Sequence, residues 1–105
     1  SMNQAVMTRI AEGLQKAIGE DCGLKARLKL KFDKAGTIFI DARKRPNRVT
    51  NEDAEADCTL AMSLDTFQRL VGGELSGPQA FLQGKLKIAG DMSVALRVQP
   101  LLRRR

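Results

Sequence analysis

The most regular pattern in the chain is residues 24–32, LKARLKLKF, where apolar and basic positions alternate without a break. Leu24, Ala26, Leu28, Leu30 and Phe32 fall on one side, and Lys25, Arg27, Lys29 and Lys31 on the other. Period two is the signature of a strand with one buried and one wet face. DKAG (33–36) reads as a turn, and TIFIDAR (37–43) returns with Ile38, Ile40 and Ala42 inward, so the two runs predict an antiparallel hairpin. KRPNRVT suits a turn entering a short strand, and NEDAEAD reads as a solvated acidic loop. DCTLAMSL alternates again, with Cys58, Leu60, Met62 and Leu64 on one side.

The first segment has a different period. Val6, Met7, Ile10, Ala11, Leu14, Ala17 and Ile18 recur at helical spacing over residues 4–18, and Gly19 supplies a stop. Few cations, Arg9 and Lys16, mark its polar side, which favours packing on a sheet over lying on a membrane. Asp65 with Gln68 reads as a helix cap and its reciprocal partner, followed by the stripe Phe67, Leu70, Val71 and the stop Gly72-Gly73. SGPQAFLQG starts a short helix with Pro78 near its first position. KLKIAG predicts a last strand with Leu86 and Ile88 inward, and Asp91 a cap for the final helix.

That final helix is apolar on nearly every side. Met92, Ala95, Leu96 and Gln99 form one stripe; Val94, Val98 and Leu101 form a second, with Leu102 nearby. Such a helix is buried on both faces or covers a cavity. A domain of 105 residues seldom has a second layer to bury both faces of its last helix, which favours a ligand cavity. Gln99 would stand one turn past Leu96, where a buried amide needs a partner.

Composition narrows the chemistry. There is no histidine, tyrosine or tryptophan, which removes the commonest general base and metal ligand together. Cys22 and Cys58 are too far apart for a C-x-x-C site, and Cys58 reads as an inert core thiol. The carboxylates Glu52, Asp53, Glu55 and Asp57 lack the spacing of a calcium loop, and no phosphate-binding glycine motif is present. The chain therefore reads as non-enzymatic, with no cofactor. Its formal charge of +6 favours an anionic partner. The cations between Lys25 and Arg48 leave two readings open, a phosphate-binding face or a solvated sheet. Phe39 is the only aromatic predicted among them, too few for base stacking, so nucleic acid is not expected and a basic nucleic-acid-binding adaptor is the remoter alternative function. No run approaches a membrane span and no secretory leader opens the chain. Ser1 before Met2 reads as a residue left by tag removal, and the chain ends in LLRRR without a peroxisomal Ser-Lys-Leu signal. The expectation is one cytoplasmic domain over residues 2–102 with a basic tail at 103–105.

Residues 56–99, ADCTLAMSLDTFQRLVGGELSGPQAFLQGKLKIAGDMSVALRVQ, resemble the sterol carrier protein 2 family of non-specific lipid-transfer domains. The specific element is Phe81-x-x-Gly84-Lys85-Leu86-Lys87-Ile88-x-Gly90-Asp91-Met92 ahead of an alanine-leucine helix. The resemblance implies an α+β fold: about five strands, mostly antiparallel, with helices on one face around an apolar tunnel for fatty acyl chains, acyl-CoA, sterol-like or isoprenoid lipids. It also implies a lining role for Leu60, Met62, Phe67, Leu70, Phe81, Leu86, Ile88, Met92, Ala95, Leu96 and Gln99, and turn or cap roles for Gly84, Gly90 and Asp91. An anionic membrane surface and a biosynthetic enzyme are further candidate partners. Pro100 departs from the family pattern and predicts a kink or stop at Gln99.

Overall fold

The computed structural model describes residues 2–103. Helix α1 (Met2–Ile18) precedes strands β1 (Arg27–Phe32), β2 (Gly36–Asp41), β3 (Arg48–Thr50) and β4 (Cys58–Met62). Helices α2 (Leu64–Val71) and α3 (Gly77–Leu82), strand β5 (Lys87–Gly90) and helix α4 (Met92–Leu102) complete the order. The strands form one sheet in the order β3-β2-β1-β4-β5. β1 pairs antiparallel with β2 and parallel with β4, while β2–β3 and β4–β5 are antiparallel. The α+β architecture is as the sequence indicates. No described helix is long and apolar enough to cross a membrane.

The alternation of residues 24–32 holds side chain by side chain. Leu24, Ala26, Leu28, Leu30 and Phe32 are all buried, although Lys25 lies at φ 55° and the strand itself starts only at Arg27. They meet Leu14 and Ile18 of α1, Phe67 of α2, Ala80 of α3, and Val94 and Val98 of α4 in one core on a single face of the sheet. Phe32 and Phe67 pack edge to face, ring centroids 5.2 Å apart.

The outer face is not the open basic surface that the alternation suggests. β3 lies at the sheet edge and β4 lies beyond β1, so residues 51–57 must pass β2 and β1. They do so on the outer side, where Lys29 Nζ donates to Asp53 Oδ1 at 2.8 Å. The Lys29 side chain is left only 17% exposed. The Arg27 backbone amide donates to the Asp57 carboxylate at 2.8 Å. Phe39, cross-strand from Lys29 and Thr50, is buried on this outer side. The acidic segment is thus a strap over the basic face, drawn there by opposite charge, and Phe39 is unavailable for stacking.

Two local expectations are corrected, and one buried contact is new. The cap of α2 is Ser63, whose Oγ accepts from the Thr66 amide at 3.1 Å; Asp65 sits inside the first turn, where its charge still suits the helix dipole. Pro100 does not end α4, which runs on to Leu102. Leu101 and Leu102 pack against the core and hold the last turn despite the lost bond to the Leu96 carbonyl. The turn before β3 carries the buried Asn47, whose side chain accepts from the Cys22 amide and donates to the Lys44 carbonyl, both at 2.8 Å. That amide ties the end of α1 to the sheet, a role no periodicity could announce.

Candidate functional site

α4 is placed by its N-terminus. Asp91 caps the helix, accepting from the Ser93 amide at 2.9 Å and from its hydroxyl at 2.7 Å. These bonds hold the Asp91 carboxyl below its ordinary pKa of 3.8. Just before it, Gly90 adopts φ +93°, and a Cβ there would strike the backbone carbonyl of Asp57. The close approach lets the Asp91 amide donate to Asp57 O at 2.8 Å, fixing α4 to the sheet. On the far side, Arg97 donates to the Leu24 carbonyl at 3.0 Å. This anchoring sets the rotation of the helix about its own axis.

The rotation separates the two stripes. Val94 and Val98 are buried in the core, 1% and 3% exposed, with Val98 also reaching the wall of the cavity described next. Met92 and Leu96 are 49% and 67% exposed and border a cavity of about 400 Å³. Its other walls are Leu60 and Met62 of β4, Leu70 of α2, Phe81 of α3, and Leu86 and Ile88 leading into and along β5. Ser76 and Gln79 at its edge are occupied with each other in a reciprocal cap of α3: the Gln79 amide donates to Ser76 Oγ at 3.1 Å, and the Ser76 amide to Gln79 Oε1 at 2.9 Å. The cavity is therefore walled mainly by aliphatic, methionine and phenylalanine side chains, with Ser76, Gln79, Gln99 and Arg103 as its polar members.

Of the residues that the family resemblance nominated, all border this cavity except Phe67. Phe67 faces Phe32 in the core and touches instead a second cavity of about 770 Å³ between α1, α2 and α4. Gln99 is exposed at the rim, its amide 3.4–3.5 Å from where a Gly77 Cβ would lie. Sequence reasoning missed Leu75, buried in the loop between α2 and α3, and Arg103 at the end of α4. A leucine isolated between glycines was the available signal for the first. The second was set aside as part of a basic tail, whose remaining residues, Arg104 and Arg105, lie outside the described residues.

Burial pushes the Cys58 thiol up, which keeps it protonated and unreactive on the core face of β4. The Arg43 guanidinium, hydrogen-bonded at 2.9 and 3.1 Å, holds Asp41 below the usual carboxylate range. Lys29 does the same for Asp53. Both pairs lie away from the cavity. Among the described residues no group of three or more Asp, Glu or Cys side chains is gathered closely enough to hold a metal ion.

Known proteins share stretches of this sequence and this fold. Human sterol carrier protein 2 is 39% identical over 69 residues, covering 65% of this chain and 13% of that protein. Bovine hydroxysteroid dehydrogenase-like protein 2 is 31% identical over 78 residues, covering 72% of this chain and 19% of that protein. The chain thus spans under a fifth of the length of these relatives. Among solved structures, the sterol carrier protein domain 2 of Helicoverpa armigera superimposes with a TM-score of 0.73 at 25% identity, over 90% of this chain and 83% of that one. The apo form of sterol carrier protein 2 from Yarrowia lipolytica gives 0.64 at 28% identity, over 88% and 72%. The profile of the SCP-2 sterol transfer family matches residues 11–103, which include every wall of the cavity, and the chain belongs to that family.

Proposed function

We propose that this domain is a non-catalytic carrier that holds the hydrocarbon part of a lipid in the cavity between β4, β5, α3 and α4. The observation that carries the reading is the second face of α4. Met92 and Leu96, joined by the half-exposed Phe81, leave large apolar side chains in water around a concave apolar wall. Such a patch marks a surface with a partner. At ~0.8 kcal/mol per buried methylene, a fifteen-methylene tail would gain on the order of 12 kcal/mol before ordering costs. Recognition by burial alone selects weakly among chains, so fatty acyl, sterol-like and isoprenoid ligands all fit the chemistry. The adaptable Met62 and Met92 suit that tolerance.

Native mass spectrometry of the purified protein followed by lipid extraction should reveal bound lipid, and a fluorescent acyl probe should bind in the low micromolar range. Failure of every acyl probe below tens of micromolar would sink the reading. Exchange at membranes would use the exposed cations Lys25, Lys31, Arg43, Lys44, Arg45 and Arg48. Vesicles with anionic lipid should then bind better than neutral ones at low salt.

A second reading keeps the site and makes the domain a presenter of its lipid to an enzyme. It rests on the relatives of which this chain matches only a small part, one of them named dehydrogenase-like. Biosynthetic enzymes should co-purify from native lysate if presentation is the role, and their absence favours simple carriage.

A further inference from the structure

The cavity is not uniformly apolar, and its polarity is ordered along α4. Met92 and Leu96 border it near the helix start, Gln99 follows about one turn on, and Arg103 stands one turn beyond that, at the C-cap. Arg103 is the only charged residue among the described residues that line the cavity. Its guanidinium lies over Gly73: a Cβ on that glycine would sit 3.3 Å from Arg103 Nε and from one terminal nitrogen. Arg103 also borders the second cavity, but Gly73 belongs only to the wall of the first, so the charge is presented on that side. Among the described residues, neither Arg103 nor the Gln99 amide has an ion-pair or hydrogen-bond partner. Glu74, which follows Gly73 in the chain, is approached instead by Arg69 at 3.9 Å.

A planar cation and an amide without partners among the described residues, at one end of a largely apolar trough, match a single-chain amphiphile with an anionic head. A guanidinium suits a carboxylate or phosphate because it offers a rigid fork of donors. From these observations we infer that Arg103 reads the head group and fixes ligand polarity. The anionic head lies beside Gly73, Gln99 and Arg103, and the hydrocarbon runs toward Met92 and Phe81. The span from Met92 to Arg103 is about 16 Å at the helical rise, room for an extended chain of medium length. This inference rests on the lipid-carrier reading and adds a residue that discriminates among lipids.

The test is competition of dodecanoate, dodecanol and dodecyltrimethylammonium against one fluorescent acyl probe, at low salt and mildly alkaline pH, where the carboxylate is ionised. Wild type should prefer dodecanoate over dodecanol by about three- to ten-fold, the modest factor expected of an exposed charge, and raised salt should shrink it. Arg103→Gln should bring the ratio to near one without weakening dodecanol. Arg103→Lys should restore part of the preference, and Arg103→Glu should turn it toward the ammonium. An unchanged ratio in Arg103→Gln, with dodecanol still bound, overturns the head-group role alone. Loss of all three ligands and the probe from wild type overturns the lipid-carrier reading with it.

Discussion

The two faces of α4 are built from the same kind of residue and meet opposite fates. Val94 and Val98 are enclosed by the sheet and α1, whereas Met92 and Leu96, offset by about half a turn, stand largely in water. Apolar character alone therefore does not say whether a position holds a fold together or waits for a ligand. What separates the two is the rotation of the helix, and three contacts outside the stripes set it: the Asp57–Asp91 backbone bond, the Asp91 cap and the Arg97–Leu24 bond.

The contrast can be broken most severely at its hinge. Gly90→Ala forces a side chain into the Asp57 carbonyl at a left-handed φ, so it should cost about 3 kcal/mol or more and abolish both faces together. Gly84 shares the positive φ but has open space around it, and Gly84→Ala should cost only about 1–2 kcal/mol. Equal urea midpoints for the two variants would remove Gly90 from its special place.

On the core face, Val94→Ala, at a position only 1% exposed and away from the cavity wall, should destabilise by about 2 kcal/mol while leaving the probe affinity of the folded protein within about two-fold. The cavity face should invert that result. Leu96→Gln is expected to stay within about 0.5 kcal/mol of wild type in chemical denaturation yet weaken an acyl probe about ten-fold, the worth of one partly buried leucine. If Leu96→Gln instead lowers the urea midpoint markedly while the folded protein keeps its probe affinity, the assignment of the two faces is reversed.

Gln99→Leu extends the apolar face by one turn. It should leave melting unchanged and shift ligand ranking two- to three-fold from polar-headed lipids toward wholly apolar ones, as read by competition with a fatty acid and a hydrocarbon. The smallest effect belongs to Asp91. Its carboxyl is depressed by the Ser93 bonds, so the stabilisation is complete above the ordinary value of 3.8 and is lost as pH falls through the lower folded value. Asp91→Asn keeps a capping oxygen but cannot titrate, so this part of the acid sensitivity should vanish from its melting curves below about pH 4.

Much of the fold was legible because it rests on local periodicity. Leu24 to Phe32 had one inward side under any register, and the two stripes of α4 were visible in the spacing of Val94, Val98, Met92 and Leu96. Most of the cavity wall followed from the family motif. Phe67 did not, because a stripe position on α2 can face either the cavity or Phe32, and only the packing of α2 against β1 chooses. Ser63 displaced Asp65 as the cap for a similar reason: both are good capping residues, and the backbone turns at Ser63.

By itself, then, the sequence determined the order of elements, the inward side of β1, β2, β4 and β5, the capped start of α4 and its excess of apolar surface, since each depends on residues within a few positions of one another. The tertiary structure decided what depends on distant partners meeting. It drew the acidic strap across the basic face through Lys29 and Asp53, carried α4 past Pro100 by packing Leu101 and Leu102, and set Asn47 between α1 and the sheet. It also brought Arg103 over Gly73, thirty positions earlier in the chain, where a Cβ would lie 3.3 Å from the guanidinium. Contacts at that separation leave no period in the sequence, because the free energy that selects them comes from burial and charge pairing after the elements have formed.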